Sequence, residues 1–303
     1  MNSNAEINTA VALRPHRNTL HLEQAAIMSI EHFAGDQVIM RLSSPTLAAR
    51  ALPGQFVHVQ CDPSLPMRRP MSLMRADSQA GWVDILFKVH GHGTRLLAKR
   101  RVGDTLSVLG PIGRTFRLES YRARPLLIGG GVGIPPMIFL AEHMRHSRAP
   151  VTPFVVMGSE VPFPFQARPS QILVHGLDPE CIAAVPLLDD WGIASRLASQ
   201  QDFPGCYRGH VTELARRWLE QSIDAVGDVE IFACGPTPML RAVQALALEF
   251  EVRCEISIEE YMACGVGGCA GCCVSVITDE GEAMKRACVD GPVFDAASVR
   301  LSS

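Results

Sequence analysis

The stretch EEYMACGVGGCAGCCVSV (residues 259–276) holds four of the chain's ten cysteines, and another follows at Cys288. Cys264, Cys269, Cys272 and Cys288 form C-x4-C-x2-C-x15-C. The first three match the plant-type spacing for [2Fe–2S] ligands, in which a fourth thiolate arrives from further along. One short loop must curl around such a cluster and deliver thiolates to both irons. Gly265, Gly267, Gly268 and Gly271 are expected to supply the positive φ values and the close approach this curl demands. Zinc is the nearest rival, but zinc knuckles usually offer C-x2-C pairs on both sides, and only one pair has that spacing here. Disulfides and inert cysteines complete the alternatives. Cys273 follows a ligand position, so its side chain points away in an extended chain and is expected to be small and buried. Cys61, Cys181, Cys206 and Cys254 have no motif around them and read as ordinary thiols.

A centre that moves single electrons needs an exchange partner, and two glycine turns offer a nucleotide. GGGVGIPP (129–136) sits between an apolar run and a helical pattern, where N–H groups at a helix start can hold a pyrophosphate. Tight strand–helix packing would explain the same turn. Pro135 and Pro136 depart from G-x-G-x-x-G but suit the opening of a helix. IFACGP (231–236) is expected to end a strand at the same sheet edge; alone it reads as a plain turn with a buried cysteine, and together with the glycine turn it places Cys234 where a nicotinamide ring could sit. RRPMSL (68–73) and FKVHGHGTRLL (87–97) combine an arginine, a hydroxyl and a glycine–threonine turn, which suit a flavin diphosphate. A surface arginine and a plain β-turn are the alternatives. His58, His90 and His92 are expected to be packed or exposed histidines rather than catalysts.

The elements that must position these residues change character along the 303-residue chain. Residues 24–118 read as short strands with turn signals, the pattern of a small antiparallel barrel. From residue 122 to 257 buried strands alternate with helices, the pattern of a parallel α/β sheet; RPLLIGGG, APVTPFVVMGS, QILVHGL and DVEIFACGP read as its strands. Residues 258–303 fit neither. The fold class is therefore mixed: a flexible tail over 1–20, a β-barrel over 21–121, an α/β domain over 122–257 and a small cysteine module over 258–303. Hydrophobic residues make up 47% and the formal net charge is -3, so there is material for a core and no bulk reason to expect nucleic acid or an anionic membrane as partner. No signal-like segment opens the chain and the longest apolar run is broken by glycines and prolines, so a cytoplasmic location is expected.

RPMS, GHGT, GPIG, GGGVGIPP, ACGP and the cysteine loop occur in an order that resembles the ferredoxin–NADP reductase superfamily. Within it, SIEEYMACGVGGCAGC…CVDGPVF is most similar to the electron-transfer subunits of NAD-dependent dihydroorotate dehydrogenases. The resemblance implies FAD on the barrel. Arg69, Pro70, Met71 and Ser72 would flank the isoalloxazine and ribityl chain, Leu86, Phe87 and Lys88 would line it, and Gly93 and Thr94 would bind the diphosphate. Met71 stands where many members place a stacking aromatic residue. NAD would use Gly130, Gly131 and Gly133 with Cys234, Gly235 and Pro236, and Glu160 favours NAD over NADP. The metal ligands would be Cys264, Cys269, Cys272 and Cys288. The implied partner is an FMN-containing catalytic subunit, in a heterotetramer with two copies of each. Small subunits of NAD(P)H–ferredoxin oxidoreductases and sulfhydrogenases are the rival reading, and a cluster-based redox sensor is a rival of another class.

Overall fold

The computed structural model describes residues 19–147 and 150–301, so all of the tail expected over 1–20 except Thr19 and Leu20 lies outside the described residues. Six antiparallel strands, β1 (His21–Phe33), β2 (Gln37–Ser43), β3 (Phe56–Val59), β4 (Arg69–Asp77), β5 (Trp82–Lys88) and β6 (Thr105–Ile112), close into a barrel. The order is β1-β2-β5-β4-β3-β6, and the short helices α1 (Pro45–Ala48) and α2 (His92–Ala98) lie in the connections. Strand alternation explains the barrel core. Val38, Met40 and Leu42 meet Val57, Val59, Val83, Ile85 and Phe87 inside. On the outer face of β5, buried Asp84 accepts both bonds of a 2.8 Å fork from Arg41, whose guanidinium lies 3.6 Å from the Trp82 ring centre.

The chain then runs through β7 (Arg124–Gly130), α3 (Ile134–Arg145), β8 (Phe154–Gly158), a two-residue pair formed by β9 (Arg168–Pro169) and β10 (Ala183–Ala184), and α4 (Pro186–Asp190). It continues with β11 (Ala194–Ser199), β12 (Tyr207–Arg208), α5 (Val211–Gln221), β13 (Val229–Cys234), α6 (Thr237–Glu249) and β14 (Arg253–Ser257). After β15 (Cys273–Thr278) and β16 (Gly281–Arg286) come β17 (Val293–Asp295) and β18 (Val299–Arg300). The main sheet has the order β12-β11-β8-β7-β13-β14-β17. It is parallel except for β17, which pairs antiparallel with β14 across the boundary expected at 257/258. The mixed architecture read from the sequence is therefore present, and its C-terminal unit is built into the sheet before it.

One strand expectation fails. QILVHGL (171–177) is irregular, and Leu173 in its centre is 85% exposed. The strand in that part of the sheet is Ala194–Ser199, whose polar members hid it. Ser195 and Ser199 are buried with their hydroxyls bonded to Val185 N–H and Ser159 O, while Arg196 reaches the carbonyls of Ser195 and Ile172.

Helix α3 is the wall common to barrel and sheet. Nine of its twelve residues are buried, as expected of a helix that is apolar all round. It packs with Leu127, Val155 and Phe232 of the sheet on one side and Met74 and Leu86 of the barrel on the other. Arg75 of β4 adds an ion pair to Glu142 at 2.6 Å. The linker between barrel and sheet is fixed by Glu230, fully buried on β13, which accepts from Arg122 N–H at 2.6 Å, Arg117 at 3.0 Å and Arg253 at 3.2 Å. The opposite face of the sheet, with α5 and α6, forms a single core with Phe56 and Ile112 of the barrel and Cys272, Val274, Val276 and Cys288 of the C-terminal unit. Among the described residues no helix is long and apolar enough to cross a membrane.

Candidate functional site

The cysteine loop joins β14 to β15 and places its four motif thiols in two pairs. Cys272 and Cys288 are buried with sulfurs 3.4 Å apart. Cys264 and Cys269 form the more open outer pair, with the Cys269 side chain near enough to lower the Cys264 pKa. Burial alone would raise the Cys264 thiol, but N–H groups of Val266, Cys269 and Gly268 and the Cys269 side chain hold it at about 6. Val266 N–H donates to Cys264 Sγ at 3.5 Å, and Gly271 N–H donates to Cys269 Sγ at 3.4 Å. Burial pushes Cys288 up to about 12, reinforced by Cys272. Two pairs of thiols, with backbone N–H groups aimed at the outer pair's sulfurs, fit a dinuclear cluster that takes two ligands at each iron. Among the described residues no three His, Cys, Asp or Glu side chains meet in an arrangement that holds a single metal ion.

The glycines of the loop divide. Gly265 (φ 66°) and Gly267 (φ 77°) are left-handed as expected, Gly268 and Gly271 are not, and Ala270 takes φ 54° instead. A non-glycine residue in that region costs ~1–2 kcal/mol, so the curl is imposed by what surrounds it. Arg286 donates to Gly267 O at 3.0 Å and ion-pairs with Asp290, tying the loop to the turn that carries Cys288. Cys273, expected to be buried, is half-exposed, because β15 pairs it with Arg286 of the edge strand β16.

On the barrel, Arg69, Pro70, Met71 and Ser72 open β4, antiparallel to β3. A Cβ on Gly93 would lie 3.2–3.4 Å from the Arg69 guanidinium, so the missing side chain lets the cation rest on the start of α2. Thr94 Oγ1 accepts from His90 N–H at 2.9 Å and Gly91 N–H at 3.2 Å, shaping the same turn. A fixed guanidinium beside a glycine turn and a helix start fits a flavin diphosphate. The β5 residues differ among themselves. Phe87 is enclosed in the barrel core and Leu86 is covered under α3, so only Lys88 presents an exposed side chain. Met71 is also in the barrel core, leaving Arg69, Pro70 and Ser72 as the partly open members of that strand start.

At the sheet edge the two glycine turns meet. From β7 the chain proceeds outward through β8, β11 and β12, then returns to β13 on the other side of β7. The crevice beyond the ends of β7 and β13 is thus the topological switch point, where open α/β sheets bind ligands. Cys234 is in register with Gly129. A Cβ on Gly133 would overlap the Cys234 carbonyl and sit 2.6 Å from Gly235 N, and Met239 lies over both Gly130 and Gly235. The helix start is a poorer anion site than the motif promised. Ile134, Pro135 and Pro136 are buried, the prolines have no N–H, and Ile134 N–H is used by Gly131 O. The remaining donors belong to the 131–133 turn, where Gly131 is left-handed at φ 55°.

Cys234 itself is enclosed, and burial, then Glu259, keep its thiol protonated against the partial opposition of Ser257. Glu259 was not singled out from the sequence, although the acidic pair directly before the cysteine loop was the available signal. Solvent reaches its side chain, yet desolvation by the surrounding protein raises its carboxyl above the usual range. His58, expected to be packed or exposed rather than a catalyst, is packed. Burial, then Arg68, lower its pKa against the carbonyls of Met262 and Cys264.

Residues 24–116 match the family model described as the oxidoreductase FAD-binding domain. Residues 259–300 match the iron–sulfur cluster binding domain of dihydroorotate dehydrogenase B. Over 91% of this chain and 97% of the relative, the sequence is 31% identical to the "Dihydroorotate dehydrogenase B (NAD(+)), electron transfer subunit" of Desulforamulus reducens. The protein of the same name from Geobacillus kaustophilus is 37% identical over 86% of this chain and 92% of its own. A solved NADH-dependent reduced ferredoxin–NADP oxidoreductase superposes with a TM-score of 0.69 at 24% identity, covering 92% of this chain and 90% of that one, which shows the fold. The chain belongs to the family of dihydroorotate dehydrogenase B (NAD(+)) electron transfer subunits.

Proposed function

We propose that the chain passes electrons between NAD and an FMN-containing dihydroorotate dehydrogenase subunit, in a cytoplasmic heterotetramer with two copies of each chain. FAD is assigned to the barrel, with Arg69, Pro70, Ser72, Lys88, Gly93 and Thr94 around it and Met71, Leu86 and Phe87, whose side chains are buried, contributing backbone only. The [2Fe–2S] ligands are Cys264, Cys269, Cys272 and Cys288. NAD is assigned to Gly130, Gly131, Gly133, Cys234, Gly235 and Pro236, and exposed Glu160 beyond β8 favours NAD over NADP. Bound FAD supplies the exchange between two-electron chemistry at NAD and single-electron transfer at an iron–sulfur centre. The chain's own residues orient and enclose: Arg69 and the α2 turn fix a diphosphate, the paired glycine turns seat the nicotinamide end, and the loop N–H groups stabilise thiolates.

The observation that carries this reading is contiguity. The loop bearing Cys264 lies against β3, and β3 is hydrogen-bonded to the β4 segment assigned to the flavin. Within that loop Tyr261 is 94% and Val266 50% exposed, an apolar surface suited to a protein partner. The purified, reconstituted chain mixed with an FMN-containing dihydroorotate dehydrogenase subunit should co-elute with it and reduce NAD+ at the expense of dihydroorotate. Failure of both overturns the assignment. Reduction of a ferredoxin by NADH with no dihydroorotate coupling would favour the rival reading instead.

A further inference from the structure

His58 lies on the outer face of the barrel wall and is nevertheless 0% exposed. Val57 and Val59, its neighbours along β3, point into the barrel core, so strand alternation sends Phe56 and His58 the other way. Phe56 enters the core shared with the C-terminal unit, and its ring meets that of His58 edge-on at 6.5 Å. What covers His58 is the cysteine loop. A Cβ on Gly265 would lie 2.7 Å from the imidazole Nδ1, so the left-handed glycine next to Cys264 leaves just the space the ring fills. Neither ring nitrogen makes a hydrogen bond of normal geometry, although the carbonyls of Met262 and Cys264 are close by. A buried ring with two unsatisfied nitrogens needs an explanation, since native interiors rarely tolerate one. On its other side the residue is in register with Pro70, inside the segment assigned to the flavin.

We propose that His58 is a positioning residue for electron transfer between barrel and cluster: in the cofactor-loaded chain a ring N–H closes onto the Met262 or Cys264 carbonyl beside it, clamps that backbone to β3 and so fixes the Cys264–Cys269 half of the thiol set relative to the flavin strand. This rests on the reading that the barrel holds FAD and the loop holds the cluster. The clamp needs a hydrogen-bond donor on the side chain at 58 and a small loop residue at 265. A ring that only filled space would need the volume and the glycine opposite it, but no donor.

Three variants of the reconstituted chain separate the cases. His58→Phe keeps a ring in the slot and removes the donor, His58→Asn restores a donor near the position of Nδ1, and Gly265→Ala pushes the loop off an intact imidazole. In His58→Phe, flavin content and flavin reduction by NADH should match the unsubstituted chain. Cluster reduction after the flavin should slow about tenfold, the lower end of what loss of a ligand-orienting group costs, and the electron paramagnetic resonance signal of the reduced cluster should broaden or shift. His58→Asn should recover most of both, and Gly265→Ala should reproduce the Phe defect. Unchanged rate and spectrum in His58→Phe overturn the proposal, as does an Asn variant no better than Phe. If His58→Phe fails to retain its cluster, Gly265→Ala decides: a normal spectrum and rate there also overturn it. Absence of flavin or cluster from the unsubstituted chain would instead refute the functional reading beneath it.

Discussion

Gly131 and Gly133 are two residues apart in one turn and are glycine for different reasons, so substituting them separates space from conformation. Gly133 has φ −84°, which any residue adopts, but its Cβ would lie 2.6 Å from Gly235 N and closer still to the Cys234 carbonyl. Non-bonded atoms settle near ~3.5 Å. An alanine there must therefore part the two turns by about 1 Å, and every atom in its way is backbone. Gly131 has φ 55° and nothing within 4 Å of its Cβ position. Gly131→Ala thus meets only the left-handed penalty of ~1–2 kcal/mol, and Gly131→Asn a smaller one. Gly133→Ala adds overpacking of ~1–3 kcal/mol. Because the displaced atoms form both turns of the proposed NAD site, a shift of that size corresponds to ~100-fold loss of NADH-driven flavin reduction. Anaerobic stopped-flow at the flavin band should show this loss in Gly133→Ala, with normal flavin content and normal cluster reduction by dithionite. Gly131→Ala should lose stability while retaining a far larger share of the rate. Equal behaviour of the two variants, or normal NADH reduction in Gly133→Ala, would refute the reasoning that the turns pack against each other to make the site.

Glu230→Ala removes the carboxylate that joins Arg122 N–H, Arg117 and Arg253. Breaking a buried pair costs ~3–5 kcal/mol, reduced here towards ~2 kcal/mol because both guanidiniums reach solvent; thermal unfolding should show the loss, and an unchanged Tm would contradict the role given to Glu230. Cys272→Ser should abolish the cluster signal and leave bound flavin, read from the visible spectrum after anaerobic reconstitution. Loss of flavin as well would show that the core shared by Cys272, Cys288 and Phe56 transmits damage to the barrel. Glu259 has a carboxyl raised by desolvation, so its folded form holds a proton more tightly than its unfolded form, and it lowers stability as pH climbs from the ordinary carboxylate range through the raised value. Glu259→Gln should therefore raise Tm at pH 7 and leave it unchanged below the carboxylate range; an equal shift at both would point to packing instead.

The parts legible in the sequence were those whose chemistry is local. The C-x4-C-x2-C spacing, the short strands of the barrel, and the glycine turn after β7 each depend on residues within one loop or strand, and each is found where expected. Most of the misreadings involve neighbours from elsewhere in the chain. ILV in QILVHGL is apolar enough for a strand but lies outside the sheet, whereas ASRLAS is a buried strand because Ser195 and Ser199 find partners that no local pattern reveals. Ala270, not Gly268 or Gly271, bears the left-handed conformation, since the surrounding loop sets it. Glu259 and His58 gain their interest from Cys234 and Gly265, which only tertiary contact brings near.

The distribution of the cores says how such a chain keeps three sites in fixed relation. The barrel keeps a core inside its strands, but its outer face has no interior separate from those of the sheet and the cysteine unit. Phe56 and Ile112 of the barrel share a core with Cys272 and Cys288, and α3 is buried between β4 and the sheet. Burying a helix on all sides removes the hydrated gap that a hinge between domains needs, because opening it would expose the apolar residues of both faces. Transfer of electrons over a set distance is served by that rigidity, whereas admission of NAD requires something to yield. At the crevice proposed for NAD, the side chain lying over Gly130 and Gly235 is Met239. An unbranched methionine changes rotamer at small cost, so it can clear the two turns while the backbone frame that spaces barrel, sheet edge and cysteine loop stays in place.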